Sequence, residues 1–287
     1  MNALKALPIL SLLLLSFAPM AASAVNVPVA RTSQGLSLNW SGYAVSIPDV
    51  TFATGTFTVP TVGPPGTVDG LPTDVSVWVG IDGYTSGTVE QTGVSGSFNT
   101  ATDTATYYAW WEMYPRSSTT IRSITVNPGD SVTASVTYLG GGSFTLAISD
   151  NTDGQSFSTT VRAPVGGPDA AVRNSAEWVV ERAATISQGY LTILPLATFG
   201  STTFTDPSFT AGGTTMTLQA ATTTFTQITN QNNPPAQPYW DQMTMVSVDS
   251  SGTITPLVTT SSVSSNSFSV SFLANGVPYP IVGALRQ

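Results

Sequence analysis

The chain has 287 residues, a formal net charge of −8, only 8% charged residues, and neither cysteine nor histidine. So few cations cannot neutralise a phosphate backbone, which excludes nucleic acid as a partner. The missing residue types exclude disulfides, Ser-His-Asp and Cys-His catalysis and His-ligated zinc, leaving acid–base chemistry to Asp, Glu or Tyr, assisted by neutral amides.

The first segment runs from Met1 to Lys5, through an apolar stretch over 6–17, to Ala22, Ser23 and Ala24. A basic start, a short apolar core and small residues before a cleavage point are the pattern of a secretory signal peptide, here 1–24. The stretch is broken by Pro8 and Pro19 and falls short of the roughly 20 residues a spanning helix needs. The expectation is therefore a secreted, extracellular protein with no membrane association after signal removal. Lys5, the only lysine, leaves with that segment, so Ser-Lys dyads and Schiff bases are excluded as well. Residues 25–38 read as a short N-terminal segment open to trimming, 39–273 as one domain and 274–287 as a C-terminal tail.

Alternating or β-branched runs follow at 51–59, 75–82, 106–114, 131–139, 143–149, 156–161, 176–182, 190–194, 214–221, 242–248 and 267–272. Turn signals separate them, among them Asn127-Pro-Gly-Asp130, Gly140-Gly-Gly142 and Asn233-Pro-Pro235. No window of helical periodicity is long enough to compete. The pattern predicts an all-β fold, an antiparallel two-sheet β-sandwich of jelly-roll or lectin-like type, and a monomer. Scarce charge suits such a chain to acid: as carboxylates protonate below roughly pH 4, few cations remain to repel one another.

Only four glutamates occur: Glu90, Glu112, Glu177 and Glu181. Strand alternation puts Tyr108, Trp110, Glu112 and Tyr114 on one face of their run. It puts Glu177, Val179 and Glu181 on one face of the next, with Trp178, Val180 and Arg182 opposite. In 75–82, Val75, Val77, Val79 and Ile81 face the core, while Trp78 and Asp82 point the other way. Glu90 alternates away from Gln91 and reads as solvated. Aromatics beside carboxylates give a substrate apolar area and raise carboxyl pKa values by desolvation. The same pattern also fits a solvated sheet face, a Ser/Thr-rich surface module, or the paired carboxylates of a sugar-cleaving sandwich. No cluster has the spacing of a zinc or EF-hand site, so neither metal nor cofactor is expected.

Several motifs in order carry a resemblance: Asn39-Trp-Ser-Gly-Tyr43, Trp78-Val-Gly-Ile-Asp-Gly83, Glu90-Gln-Thr-Gly93, Ala109-Trp-Trp-Glu-Met-Tyr-Pro115, Ala176-Glu-Trp-Val-Val-Glu181 and Met243-Thr-Met-Val246. Together they resemble the glutamic peptidases (eqolisins), secreted acid endopeptidases once grouped with the pepstatin-insensitive acid proteases. The resemblance implies a sandwich of two large antiparallel sheets and polypeptide substrates. It places the catalytic glutamine at Gln91 and the catalytic glutamate at Glu177, with Trp78, Asp82, Trp110 and Glu112 in substrate-binding or supporting positions. In the mechanism it implies, Glu177 takes a proton from a water held against Gln91, and the Gln91 amide stabilises the oxyanion. Glu181, on the same strand face, is the competing base. The sequence departs from the pattern in a loop before Gln91 about one residue short, in Tyr108 where an acidic residue is expected, in its lack of cysteine, and in its short segment before Asn39.

Overall fold

The computed structural model describes residues 31–33, 35–64, 73–164, 166–167, 169–187, 190–230, 233–249, 251–273 and 281–284. The signal-type segment 1–24 lies outside them. The principal elements, in chain order, are β1 (Trp40–Ser46), β2 (Val50–Thr58), β3 (Thr73–Ile81), β4 (Val89–Asn99), β5 (Thr104–Tyr114), β6 (Ser131–Gly140), β7 (Ser143–Asp150), β8 (Gln155–Arg162), β9 (Ser175–Glu181), β10 (Ser201–Ala211), α1 (Leu218–Thr224), β11 (Tyr239–Val248) and β12 (Ser267–Phe272).

Two sheets form the expected sandwich. The front sheet runs β11-β1-β9-β3-β4-β5, and the back sheet β8-β7-β6-β2-β10-β12. Pairing is antiparallel along both, and only Leu36–Ser37 and Thr226–Gln227 run parallel, each to β11. The back sheet shows why its strands form. In β7, every second residue (Phe144, Leu146, Ile148) is buried, and Ser143, Thr145, Ala147 and Ser149 take the other, partly exposed face. The apolar rows of both sheets meet in one core that includes Val75, Val77, Val79, Ile81, Trp178 and Val180, the faces their alternation predicts. Trp178 ties the layers together, its Nε1 donating to the Thr54 carbonyl of β2 at 2.8 Å.

Three long strands were not among the sequence-read runs, each for a local reason. β4 contains Gly93, where a Cβ would come within 2.2 Å of the Val77 carbonyl oxygen. β1 contains Gly42 at φ +132°, whose Cβ would strike the Trp178 carbonyl. β10 carries Asp206 at φ 52° followed by Pro207, and its pairing with β2 shifts register there. The run 214–221 was read as a strand throughout, and the structure corrects this. It is strand only over Thr214–Thr217, because the Thr217 hydroxyl accepts from Ala220 N and starts α1. Leu218 and Ala221, three apart, then supply its buried side.

Some of the flanking residues join sheets. Arg31–Ser33 and Leu36–Ser37 extend the front sheet beyond β11. Ile281–Ala284, within the expected tail, pairs with Tyr190–Ile193 in a small third sheet.

Candidate active site

The face of the front sheet turned away from the inter-sheet core carries a second buried cluster, including Trp40, Trp78, Tyr84, Trp110, Val179 and Met243. Antiparallel registration sorts this face into transverse rows. One row reads Ala44, Glu177, Gly80, Gln91, Glu112 across β1, β9, β3, β4 and β5. The next reads Gly42, Val179, Trp78, Gly93, Trp110, and the third Trp40, Glu181, Ser76, Ser95, Tyr108. Residues scattered between positions 40 and 181 of the sequence thus become neighbours.

Glu177 and Gln91 flank Gly80, which contributes only backbone to the row. A Cβ at Gly80 would meet Trp78 Cζ3 at 2.9 Å and Gln91 Cβ at 3.2 Å, so the missing side chain makes room for the Trp78 ring and for Gln91. Gln91 Nε2 donates to Glu112 Oε2 at 2.7 Å. A carboxylate can only accept, so this bond fixes which end of the amide faces Glu112. Gln91 Oε1, buried, has no hydrogen-bond partner among the described residues, nor has Trp110 Nε1. Glu177, Gln91 and Glu112 are all fully buried.

Glu181 is differently employed. Its Oε2 accepts from Trp78 Nε1 at 2.8 Å and its Oε1 from Asn39 Nδ2 at 3.4 Å. It thereby holds the Trp78 ring, which stands edge-on to Trp40 at 4.8 Å. Asp82 does not reach the row. A positive φ of 72° breaks strand alternation there, and its carboxylate turns to the segment leading into β9. It accepts from the backbone N–H groups of Val172 (2.9 Å), Arg173 (2.7 Å) and Asn174 (2.9 Å). The structure therefore groups Gln91, Glu177, Trp78, Trp110 and Glu112 on one face and sets Asp82 behind Glu177 as an anchor.

The loop before Gln91 folds back across the sheet. Gly83 N donates to Ser86 Oγ at 3.0 Å, and the Tyr84 hydroxyl donates to Asp241 Oδ2 on β11 at 2.7 Å. Asp241 pairs with Ala44, at the Glu177 end of the row, so the loop spans the side of the row where Glu177 sits.

Two residues were missed or misread from sequence. Glu90 lies on the opposite face from Gln91, as alternation requires, but it is buried rather than solvated. Met113, Tyr114, Pro115, Ala163 and Pro164 close that end of the sandwich around it. Asp74, not singled out by sequence, lies on the same face as Trp78, four residues before it. It accepts from Ser97 Oγ at 2.5 Å and Ser76 Oγ at 3.4 Å, and Ser76 is bonded in turn to Ser95 at 2.6 Å. Ser95 is hydrogen-bonded to Tyr108, so Asp74 is linked to the Tyr108 hydroxyl through two serines. Burial pushes the Asp74 carboxyl up to about 6, against the lowering effect of its serine bonds. Burial, with the Asp74 and Glu112 charges, pushes the Tyr108 hydroxyl upward as well. Asp74 belongs to no motif and is revealed only by the cross-strand register, while the burial of Glu90 follows from what closes that end of the sandwich.

On the back sheet, oxygens of Asp130, Asp150 and Asp153 converge within 4.8 Å. Two of these side chains fasten turns: Asp130 Oδ2 accepts from Asn127 N at 2.6 Å, and Asp150 Oδ1 from Thr152 N at 2.8 Å.

A two-sheet sandwich that gathers a glutamine and several glutamates on one sheet face, in a chain without histidine or cysteine, has the architecture of a glutamic peptidase. The Peptidase A4 family model matches residues 38–272, and the chain belongs to that family. It is 32% identical over 201 residues to aspergillopepsin-2 of Aspergillus niger, covering 64% of this chain and 68% of that protein. It is 31% identical over 198 residues to scytalidopepsin B of Scytalidium lignicola, covering 68% and 72%. Among solved structures, aspergilloglutamic peptidase from Aspergillus niger superposes with a TM-score of 0.52 at 30% identity, over 70% of this chain and 99% of that one. Scytalido-glutamic peptidase bound to a peptide-based transition-state analogue gives 0.60 at 27%, over 84% and 100%. The chain is a glutamic endopeptidase acting on polypeptides, which displaces the sugar-cleaving and surface-module readings. No helix among the described residues is long and apolar enough to cross a membrane.

Proposed function

We propose that the protein is a secreted, monomeric endopeptidase working in acid, with Glu177 as general base and the Gln91 amide as oxyanion donor. The observation that carries this reading is the row itself, in which Glu177 and Gln91 face each other across the side-chain-free Gly80. A water above Gly80 would lie between a carboxylate and the Gln91 amide. Glutamate ordinarily titrates at about 4.3, so a carboxylate is a base that remains partly ionised where imidazole would be fully protonated. Glu177 takes a proton from that water as it attacks the scissile carbonyl. The Gln91 N–H not used by Glu112 donates to the developing oxyanion, a neutral donor that acts at any pH. Glu177 then passes its proton to the leaving amine. Trp78 and Trp110 line the next row and offer the chain of a substrate apolar area, with the Trp110 indole N–H available to a peptide carbonyl.

Glu181 is the weaker base because its oxygens already accept from Trp78 and Asn39. Digestion of denatured casein at about pH 3 with pepstatin present, by wild type, Glu177→Gln, Glu181→Gln and Gln91→Ala, tests the assignment. Loss of cleavage in Glu177→Gln and Gln91→Ala is expected. Abolition by Glu181→Gln with survival of Glu177→Gln would sink it. Export is supported by the leader-type pattern of 1–24, and finding the mature N-terminus near Val25 in culture medium would check it.

A further inference from the structure

Glu90 and Asp82 form a buried pair of carboxyl groups behind the row, hydrogen-bonded side chain to side chain. Each sits next to a strand that bears one of the reacting residues. Glu90 directly precedes Gln91 on β4. Asp82 ends β3 and holds the N–H groups of Val172, Arg173 and Asn174, and its own N–H donates to the Ser175 carbonyl at 3.1 Å, two residues before Glu177. The pair is thus a clasp between the start of β4 and the start of β9, on the opposite side of the sheet from the chemistry. A hydrogen bond between two carboxyl groups needs one proton, since two carboxylates can only accept.

We propose that Glu90 is a positioning residue, whose acid form donates to Asp82 and so holds Gln91 and Glu177 in register, and whose ionisation opens the clasp and confines turnover to acid. This rests on reading Gln91 and Glu177 as the reacting pair. The groups facing Glu90 favour its proton. The charges of Asp82 and Glu177 repel a Glu90 carboxylate, and Asp169 and Tyr114 line the same pocket of about 40 Å³. Arg116 also lines that pocket, but it donates to the Arg162 carbonyl at 3.2 Å and forms no ion pair with Glu90 among the described residues. The second oxygen of Glu90, Oε2, is buried without a partner. Burial, then the Asp82 charge, push the Glu90 carboxyl well above its ordinary range, and burial raises Asp82 too. A group protonated more strongly in the folded state than in the unfolded one loses its contribution as pH rises from its ordinary value through its folded one. The clasp is therefore closed in acid and open towards neutrality.

The test follows tryptophan fluorescence and peptide hydrolysis from about pH 3 to about pH 8 in wild type, Glu90→Gln and Glu90→Leu, each normalised to its own acid plateau. Glutamine donates to Asp82 at every pH, whereas leucine cannot donate at any pH. Glu90→Gln is expected to keep the acid signal to at least about one pH unit higher than wild type, a roughly ten-fold shift in proton concentration, and Glu90→Leu is expected to lose the acid signal no later than wild type. Coincident fluorescence transitions in wild type and Glu90→Gln would overturn the proposal. If neither variant folds, 13C-glutamate NMR of the wild type decides. A glutamate titrating well above the ordinary glutamate range in step with the loss of activity supports the clasp, and completion of all glutamate titrations within that range removes it. The fluorescence arm needs no turnover, so it stands even if Glu177→Gln remains active and the assignment of the reacting pair fails.

Discussion

The two sheets solve the same packing problem differently. In β7 burial alternates strictly, and the outward Ser and Thr residues meet solvent. In β1, β3 and β9 every residue is buried. The front sheet therefore has an interior on both sides, and its second interior holds Glu177, Gln91, Glu112, Glu181, Asp74 and Ser95 rather than apolar side chains alone. A wet face tolerates any polar residue, whereas a buried polar layer must satisfy each one or keep it for use. On this layer Glu181 and Asp74 are satisfied by named donors, while the amide oxygen of Gln91 is left over.

That contrast can be broken deliberately. Substituting Glu177 by Gln should cost at least about 10³-fold in kcat with folding retained, and Gln91→Ala about 10²–10³-fold, measured on a peptide substrate in acid. The largest structural effect should come from the core shared by both sheets. Trp178→Ala removes a fully buried ring and its bond to Thr54 and should destabilise by about 3–5 kcal/mol in denaturant titration.

The buried polar layer predicts a pH-dependent effect that the back sheet lacks. With its carboxyl raised to about 6, Asp74 binds its proton more tightly folded than unfolded, so it costs stability as pH climbs from its ordinary value of about 3.9 through about 6. Asp74→Asn should therefore leave stability little changed below about pH 4 and gain on the order of 1–3 kcal/mol at neutral pH, seen as a divergence of the two melting curves. The smallest effect is expected on the outer face of the back sheet. Thr145 and Thr160 share an exposed bond of 3.1 Å, and Thr145→Ala should shift stability by no more than about 0.5 kcal/mol. A larger loss there would blur the distinction between the sheets.

Strand identity and facing were legible wherever alternation was clean. The runs at 75–82, 106–114, 131–139 and 176–182 were found, and Trp78 and Trp178 fell on the faces expected of them. The strands at β1, β4 and β10 were obscured by glycine, polar residues and a proline whose placement makes sense only beside their neighbours. The helix at Leu218–Thr224 was hidden because its cap is a threonine in a threonine-rich run that also suits a strand.

The sequence by itself determined that this chain is an all-β member of a glutamic peptidase family and that its chemistry falls to amides and carboxylates, because composition and ordered motifs are local properties. Only the tertiary structure decided how those carboxylates divide their work. Glu181 orients Trp78, Asp82 anchors the approach to β9, Asp74 is linked to Tyr108 through two serines, and Glu90 is a buried partner of Asp82 rather than a solvated neighbour of Gln91. The reason is physical: each assignment depends on which strand lies across the ladder and on what closes the end of the sandwich. Both are set by register and packing over more than a hundred residues of chain.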